Sequence, residues 1–357
     1  MPDILADSRI YQWGGIGFGE NDSLLLAKSL KQLAQSSGAG FIRLWGKIHG
    51  TKRDYFIAEG KLEAAGGDGD AAPTNMEPRG TGVNTFVYWA TNSPLESWTL
   101  LPDLTPADIQ AARDTKVYFT GELDRKIITN PFFFKTEKVY LRAQIARIAH
   151  STTIIPKGVF KTNAENEKEV EENNDPENPF VMPNALAMSK ADNWVHYPQT
   201  ILKCNLTAHK VEIPEGDETG ETLKRVEAFD PYEKRLKPIT LDGKVKGGLP
   251  SWVVKHYGDK DLYFTPKGLQ DKEKQDKEAG PEKDKKPIEQ VNYGVVVVKS
   301  LQWPGSHTFF SQGRYFNLYV GDGLKYEQKT FYPIFPPVIR EDPVEKPCFI
   351  EPNPRFG

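Results

Sequence analysis

Cysteine is nearly absent from this chain, with only Cys204 and Cys348 in 357 residues. Two thiols so far apart match no paired-cysteine metal spacing and build no disulfide framework, which points to a reducing compartment, the cytoplasm or a space continuous with it. Long apolar runs are missing too. The most apolar continuous stretch, Val295 to Val298, is far shorter than the roughly 20 residues a helix needs to cross a bilayer, so no membrane insertion is expected. Met1 to Tyr11 carries acids at Asp3 and Asp7 and no basic start followed by an apolar stretch, so no secretory signal is expected there. Charge of one sign is lacking as well: 46 basic and 49 acidic residues leave a net −3. Such a balance steers the chain toward neither nucleic acid nor an anionic membrane, and no basic aromatic stripe offers to stack on bases. Partners must then be chosen by local surfaces.

Chemistry-bearing clusters are equally sparse. His49, His150, His196, His209, His256 and His307 lie in separate segments, none paired at helical ligand spacing, so no metal site is expected. No serine or cysteine sits in a nucleophile elbow, and no catalytic carboxylate pair stands out. Neither a catalytic residue nor a cofactor is assigned. Gly14-Gly15-Ile16-Gly17-Phe18-Gly19 before a helix suggests a phosphate-cradling turn, which is the alternative reading: a cytosolic enzyme or nucleotide-binding protein. Its glycines are spaced more tightly than the dinucleotide fingerprint, and Glu20 and Asp22 would face the phosphates, so a structural turn is favoured.

What is present is a foldable core, since 38% of the residues are hydrophobic. Asp22 or Ser23 can cap a helix with Leu26, Leu30, Leu33 and Ala34 along one stripe, and Gly38 can end it. Phe41 to Trp45 and Tyr55 to Ala58 read as a hairpin, and Thr85 to Ala90 as the next strand. Between them, 64–82 has the composition of a mobile loop. Thr105-Pro106-Ala107-Asp108 is a helix start, with the helix running to about Lys116. Leu141, Ile145 and Ile148 have helical spacing, but the adjacent Thr152 to Ile155 is strand-like, and 139–148 is read as a strand. Tyr293 to Leu301, His307 to Phe310 and Arg314 to Val320 form an antiparallel meander.

These elements give an α+β fold, mainly antiparallel β-sheet with a few helices and long disordered insertions. The chain divides into an N-terminal α+β region (1–160), an acidic insertion (161–179), a middle region (180–266), a charged insertion (267–289), the β meander (290–332) and a proline-rich extended tail (333–357). Within 161–179, seven acids face two lysines and no aromatic, too little apolar surface to offset the entropy of ordering. Arg142 and Arg147 sit amid apolar neighbours, where guanidinium groups either anchor carboxylates and carbonyls or remain solvated. Phe132-Phe133-Phe134 and Phe309-Phe310 with Tyr315-Phe316 read as core, any excess beyond one core being available to a subunit interface.

Several of these same residues resemble the radial spokehead-like family. Arg43-Leu44-Trp45-Gly46-Lys47-Ile48 with Tyr55 to Gly60, Thr81 to Asn84 before Phe86 to Trp89, and Tyr140-Leu141-Arg142-Ala143-Gln144-Ile145-Ala146-Arg147-Ile148 are similar to its signatures. So are Asn193 to His196, Trp303-Pro304-Gly305, and Tyr319-Val320-Gly321. The resemblance implies a non-catalytic structural subunit of the ciliary axoneme, of the type called subunits four and six. Implied neighbours are another copy or paralogue of the same type, the small subunit of the nine type, the MORN-repeat head subunits and the scaffold subunit of the three type. Transient contact with central-pair projections, and signalling from them toward the dyneins, is implied as well. Candidate structural or interface residues are Arg43, Trp45, Arg142, Arg147, Trp194, Trp303, Phe309, Tyr315 and Tyr319.

Overall fold

A computed structural model describes residues 4–62, 79–80, 82–129, 132–162, 170–173, 180–197, 236–245, 248–257, 294–311 and 313–326. Most of the loop expected over 64–82, most of the acidic insertion, all of the charged insertion and the proline-rich tail lie outside them.

The aromatic and β-branched runs form two antiparallel meanders. The first comprises β1 (Ala39–Ile48), β2 (Tyr55–Leu62), β3 (Val87–Thr91) and β4 (Thr99–Leu100); the second, β9 (Trp252–Tyr257), β10 (Val295–Ser300), β11 (Ser306–Ser311) and β12 (Arg314–Gly321). A short parallel ladder, Gly46 to Ile48 against Tyr319 to Gly321, joins them into an eight-stranded sheet ordered β4-β3-β2-β1-β12-β11-β10-β9. Gly46 permits this joint, because a β-carbon there would lie 2.1 Å from the Tyr319 carbonyl oxygen.

Both faces of the sheet are covered, so its strands bury residues on each side. Two N-terminal helices, α1 (Ile4–Trp13) and α2 (Glu20–Ser37), lie on one face, with Leu26, Leu30 and Leu33 packed with Leu44, Phe56 and Phe309. The anticipated apolar stripe and the left-handed Gly38 (φ 67°) are both found. The cap is Gly19, not Asp22 or Ser23: the Ser23 amide donates to the Gly19 carbonyl at 2.9 Å, adding a turn, while the Ser23 hydroxyl is 2.9 Å from Tyr11 Oη in the core.

On the opposite face, α3 (Pro106–Asp114) and α4 (Glu137–Thr152) pack with Ile57, Tyr88 and Tyr319. The Thr105 amide and hydroxyl both donate to Asp108 Oδ2, at 3.0 and 2.8 Å, so the acid reaches back to the helix start as its sequence announced. The strand expected over 139–148 is instead the centre of α4. Tyr140, Leu141, Ala143, Ile145, Ala146, Ile148 and Ala149 are all buried, so the helix has no broad polar face to reveal its period.

A third cluster forms where β5 (Ile154–Pro156) meets α5 (Ala185–Met188) and β8 (Trp194–His196) of the middle region, bringing Trp194 against Val296, Val298 and Phe310. At the start of the acidic segment, β6 (Phe160–Thr162) pairs antiparallel with β7 (Val170–Glu172).

Candidate functional site

The strands that carry Arg43 and Tyr319 are neighbours only along the short parallel ladder. Beyond it, under the C-terminal end of α4, lies a cavity of about 230 Å³ whose walls include Arg43, Trp45, Glu59, Tyr315, Asn317 and Tyr319. Four of the nine candidates, Arg43, Trp45, Tyr315 and Tyr319, therefore line one cavity.

The polar heart of the site is a relay across three strands and a helix. Arg43 Nε donates to Glu59 Oε1 at 2.8 Å and its Nη2 donates to the same oxygen. Tyr88 Oη donates to Glu59 Oε2 at 3.0 Å, and the Arg142 guanidinium lies 4.5 Å from the Tyr88 ring centroid. Glu59 is 2% exposed, and a carboxylate so buried requires the pairing and hydrogen bonds it finds here. Burial opposes the Arg43 charge, but the Glu59 carboxylate outweighs it and raises the guanidinium pKa. Tyr88 is pushed well above the usual phenol range by burial first and by Glu59 second.

Arg142 is itself buried, which overturns the solvated alternative. Its Nη2 donates to the carbonyls of Val83 (2.8 Å) and Phe86 (3.3 Å), tying α4 to the segment that leads into β3. Burial lowers its pKa, the nearby Tyr88 partly offsetting this. One turn and a half along α4, Arg147 Nη1 donates to the Ala112 carbonyl (2.9 Å) and to Gln144 Oε1 (2.7 Å), and its guanidinium lies 5.2 Å from the Trp303 ring centroid. Burial, with Arg113 adding repulsion, brings its pKa down to about 10. The two arginines thus fasten α4 at two points.

The remaining candidates, Trp303, Phe309 and Trp194, fall one in each of the three core clusters. Trp45 stacks on Tyr319 at 5.3 Å, and Tyr319 Oη donates to the Pro304 carbonyl at 3.1 Å while accepting from the Gly323 amide at 2.8 Å. Phe309 does not line the cavity but stacks on Phe316, which does, in the cluster under α1 and α2. Trp194 meets Phe310 edge-on and donates its Nε1–H to the Met188 carbonyl at 2.8 Å.

Sequence reasoning missed the acids that organise these layers. Glu59 follows Tyr55 and Ile57 at alternate positions of β2, and a carboxylate in a buried row calls for a cation and hydroxyls nearby. Glu137, at the start of α4, accepts from the Thr120 amide (2.8 Å), the Gly121 amide (3.0 Å), the Thr120 hydroxyl (2.8 Å) and Tyr55 Oη (3.0 Å), and is ion-paired with Arg125 at 3.4 Å. In the middle region, Asp242 gathers His196 Nε2 (2.7 Å), Trp252 Nε1 (2.6 Å) and Lys237 Nζ (3.0 Å). Only pairing across distant segments reveals such roles.

Both oxygens of Glu59 are engaged, and no group of three or more metal-ligating side chains is found among the described residues. In the glycine turn, the Gly14 and Gly15 amides donate to the Tyr11 and Gln12 carbonyls at 3.0 Å each, which closes α1.

The sequence model of the radial spokehead-like protein family matches residues 1–75 and 69–353. Among curated proteins, the chain is 27% identical to radial spoke head protein 6 homolog A of Mus musculus, over 96% of this chain and 52% of that protein. It is 28% identical to radial spoke head protein 4 homolog A of Homo sapiens, over 96% of this chain and 50% of that one. It is also 28% identical to flagellar radial spoke protein 4 of Chlamydomonas reinhardtii, over 95% of this chain and 70% of the relative. The chain thus spans about half the length of the mammalian relatives it matches.

Proposed function

Because this chain belongs to the radial spokehead-like protein family, we propose that it is a non-catalytic structural subunit of the radial spoke head in the axoneme of a cilium or flagellum. The observation that carries the reading is the family match across nearly the whole chain, in the company of relatives named as radial spoke head proteins. The geometry agrees with it. The Arg43–Glu59 pair ties strand to strand, and Arg142 over the Tyr88 ring ties helix to sheet, which suits a part that must keep its shape under repeated load.

In this reading the subunit assembles with another copy or paralogue of its kind and with the small, MORN-repeat and scaffold subunits of the spoke. Through that assembly it takes part in passing mechanical signals from the central pair toward the dyneins. The test is fractionation of cilia from cells carrying a tagged chain. Retention in salt-washed axonemes, together with spoke-head subunits, is the expected result. Recovery solely from the soluble cytosol would refute the reading.

A further inference from the structure

That reading leaves open which surface meets a neighbour. Between α3 and α4 the chain makes a loop with a closed neck: the Glu137 amide donates to the Arg125 carbonyl and the Lys138 amide to the Leu123 carbonyl, each at 2.8 Å, and Lys126 and Thr136 form an antiparallel bridge. Beyond the neck the apolar side chains divide. Ile127 and Phe133 are buried, Phe133 lying edge-on to Tyr140 at 5.6 Å. Ile128, Phe132 and Phe134 point outward with 82%, 54% and 87% of their surface exposed. The Phe132 and Phe134 rings brace each other edge to face, 4.7 Å between centroids.

Isolated exposed apolar residues need no explanation, but three on one loop, two of them aromatic and packed together, mark a contact surface. The loop is also held firmly at its base, since Glu137 binds the Thr120 and Gly121 backbone and Arg125 as described above. Aromatic side chains, with few rotatable bonds, lose little conformational freedom on docking. The charges around them are sorted. Among the charged residues of 122–138, Arg125 is paired with Glu137, Lys135 with Asp108 and Glu122 with Lys52, which leaves Lys126 and Lys138, without an ion-pair partner among the described residues, against the single acid Asp124. An apolar prong with a net positive border complements an apolar pocket rimmed by carboxylates. A bilayer fits less well, because lipid-binding patches gather about four to eight lysines or arginines.

We propose that Phe132, Phe134 and Ile128 form a prong that inserts into an acidic-rimmed apolar pocket of a neighbouring protein subunit in the spoke head. This rests on the functional reading above. To test it, the full chain and its Phe132→Ser/Phe134→Ser variant are purified and titrated against spoke heads extracted from axonemes, with Tm measured for both. The expected result is an unchanged Tm and a Kd weaker by about thirtyfold or more, the mark of lost aromatic anchors. A Lys126→Glu/Lys138→Glu variant should also bind more weakly, and most clearly at low salt.

An unchanged Kd in the aromatic variant overturns the prong. So does self-association of the chain that this variant abolishes while spoke-head binding persists, and so does binding to anionic phospholipid vesicles that only the wild type shows. A wild-type chain that binds no spoke head overturns the functional reading and this inference with it.

Discussion

Glu137 offers the sharpest test of how the helical layer is attached. Its carboxylate, 1% exposed, takes hydrogen bonds from two backbone amides, the Thr120 hydroxyl and Tyr55 Oη, and faces Arg125. In Glu137→Gln the retained oxygen can still meet the Thr120 and Gly121 amides and Tyr55, but as a neutral acceptor. The new amide faces Arg125, whose side chain is 32% exposed and can turn to water. The loss is that of charge assistance, about 2 kcal/mol. Glu137→Ala instead strands the buried Gly121 amide, the half-buried Thr120 amide and a phenol, and at about 1–3 kcal/mol for each orphaned group the cost approaches the whole stability of an ordinary domain. Urea unfolding of the full chain measures the first variant through its midpoint at constant slope, with Tyr55→Phe completing a double-mutant cycle. A Glu137→Gln midpoint within about 0.5 kcal/mol of wild type, or a cycle with no coupling, would refute the network as a stabilising element.

Three further outcomes follow from the same contacts. Gly46→Ala should cost about 3 kcal/mol or more, because its β-carbon would collide with the Tyr319 backbone and no side chain can move aside; soluble expression and Tm would report it. His307 should titrate by NMR near pH 4 in the folded chain, since burial lowers it from about 6.5 and Lys299 adds to the effect. Its contribution is complete above about pH 6.5 and fades as the pH falls toward 4, where the unfolded chain binds the extra proton. Burial alone would raise the Asp242 carboxyl, yet His196, Trp252 and Lys237 hold it at about 2. The stability it supplies is present above its ordinary value near 3.8 and is lost as pH falls through 2. Asp242→Asn should flatten the acid-unfolding profile over that window, and an unaltered profile would count against the cluster.

The elements legible in the sequence were those whose signals are local. The Thr105–Asp108 cap, the left-handed Gly38, the hairpin flanking Gly50 and the valine-rich β10 are each written within a few residues. The centre of α4 was not, because Leu141, Ile145 and Ile148 share the helix with buried Tyr140, Arg142 and Gln144, and β-favouring Thr152 to Ile155 adjoins it. Burial on nearly every side erases the polar stripe that would have given its period. Arg43, Trp45 and Tyr319 were recognised as notable from their motifs, but their convergence on one cavity depends on a joint between Gly46 and Tyr319 that no window of sequence spans. The same holds for Glu59, whose partners Arg43 and Tyr88 lie on the strands to either side of it.

That joint also governs the order in which the protein can be made. During synthesis β1 emerges early, while β12, its only neighbour on that side, leaves the ribosome after nearly all the rest of the described chain. Until then the nascent first meander carries an open strand edge, the kind of surface on which incomplete chains pair with one another. Quality control therefore has a long interval in which to act, and a chain cut short before Arg314 would reach it as an adhesive half-sheet rather than as a smaller working part.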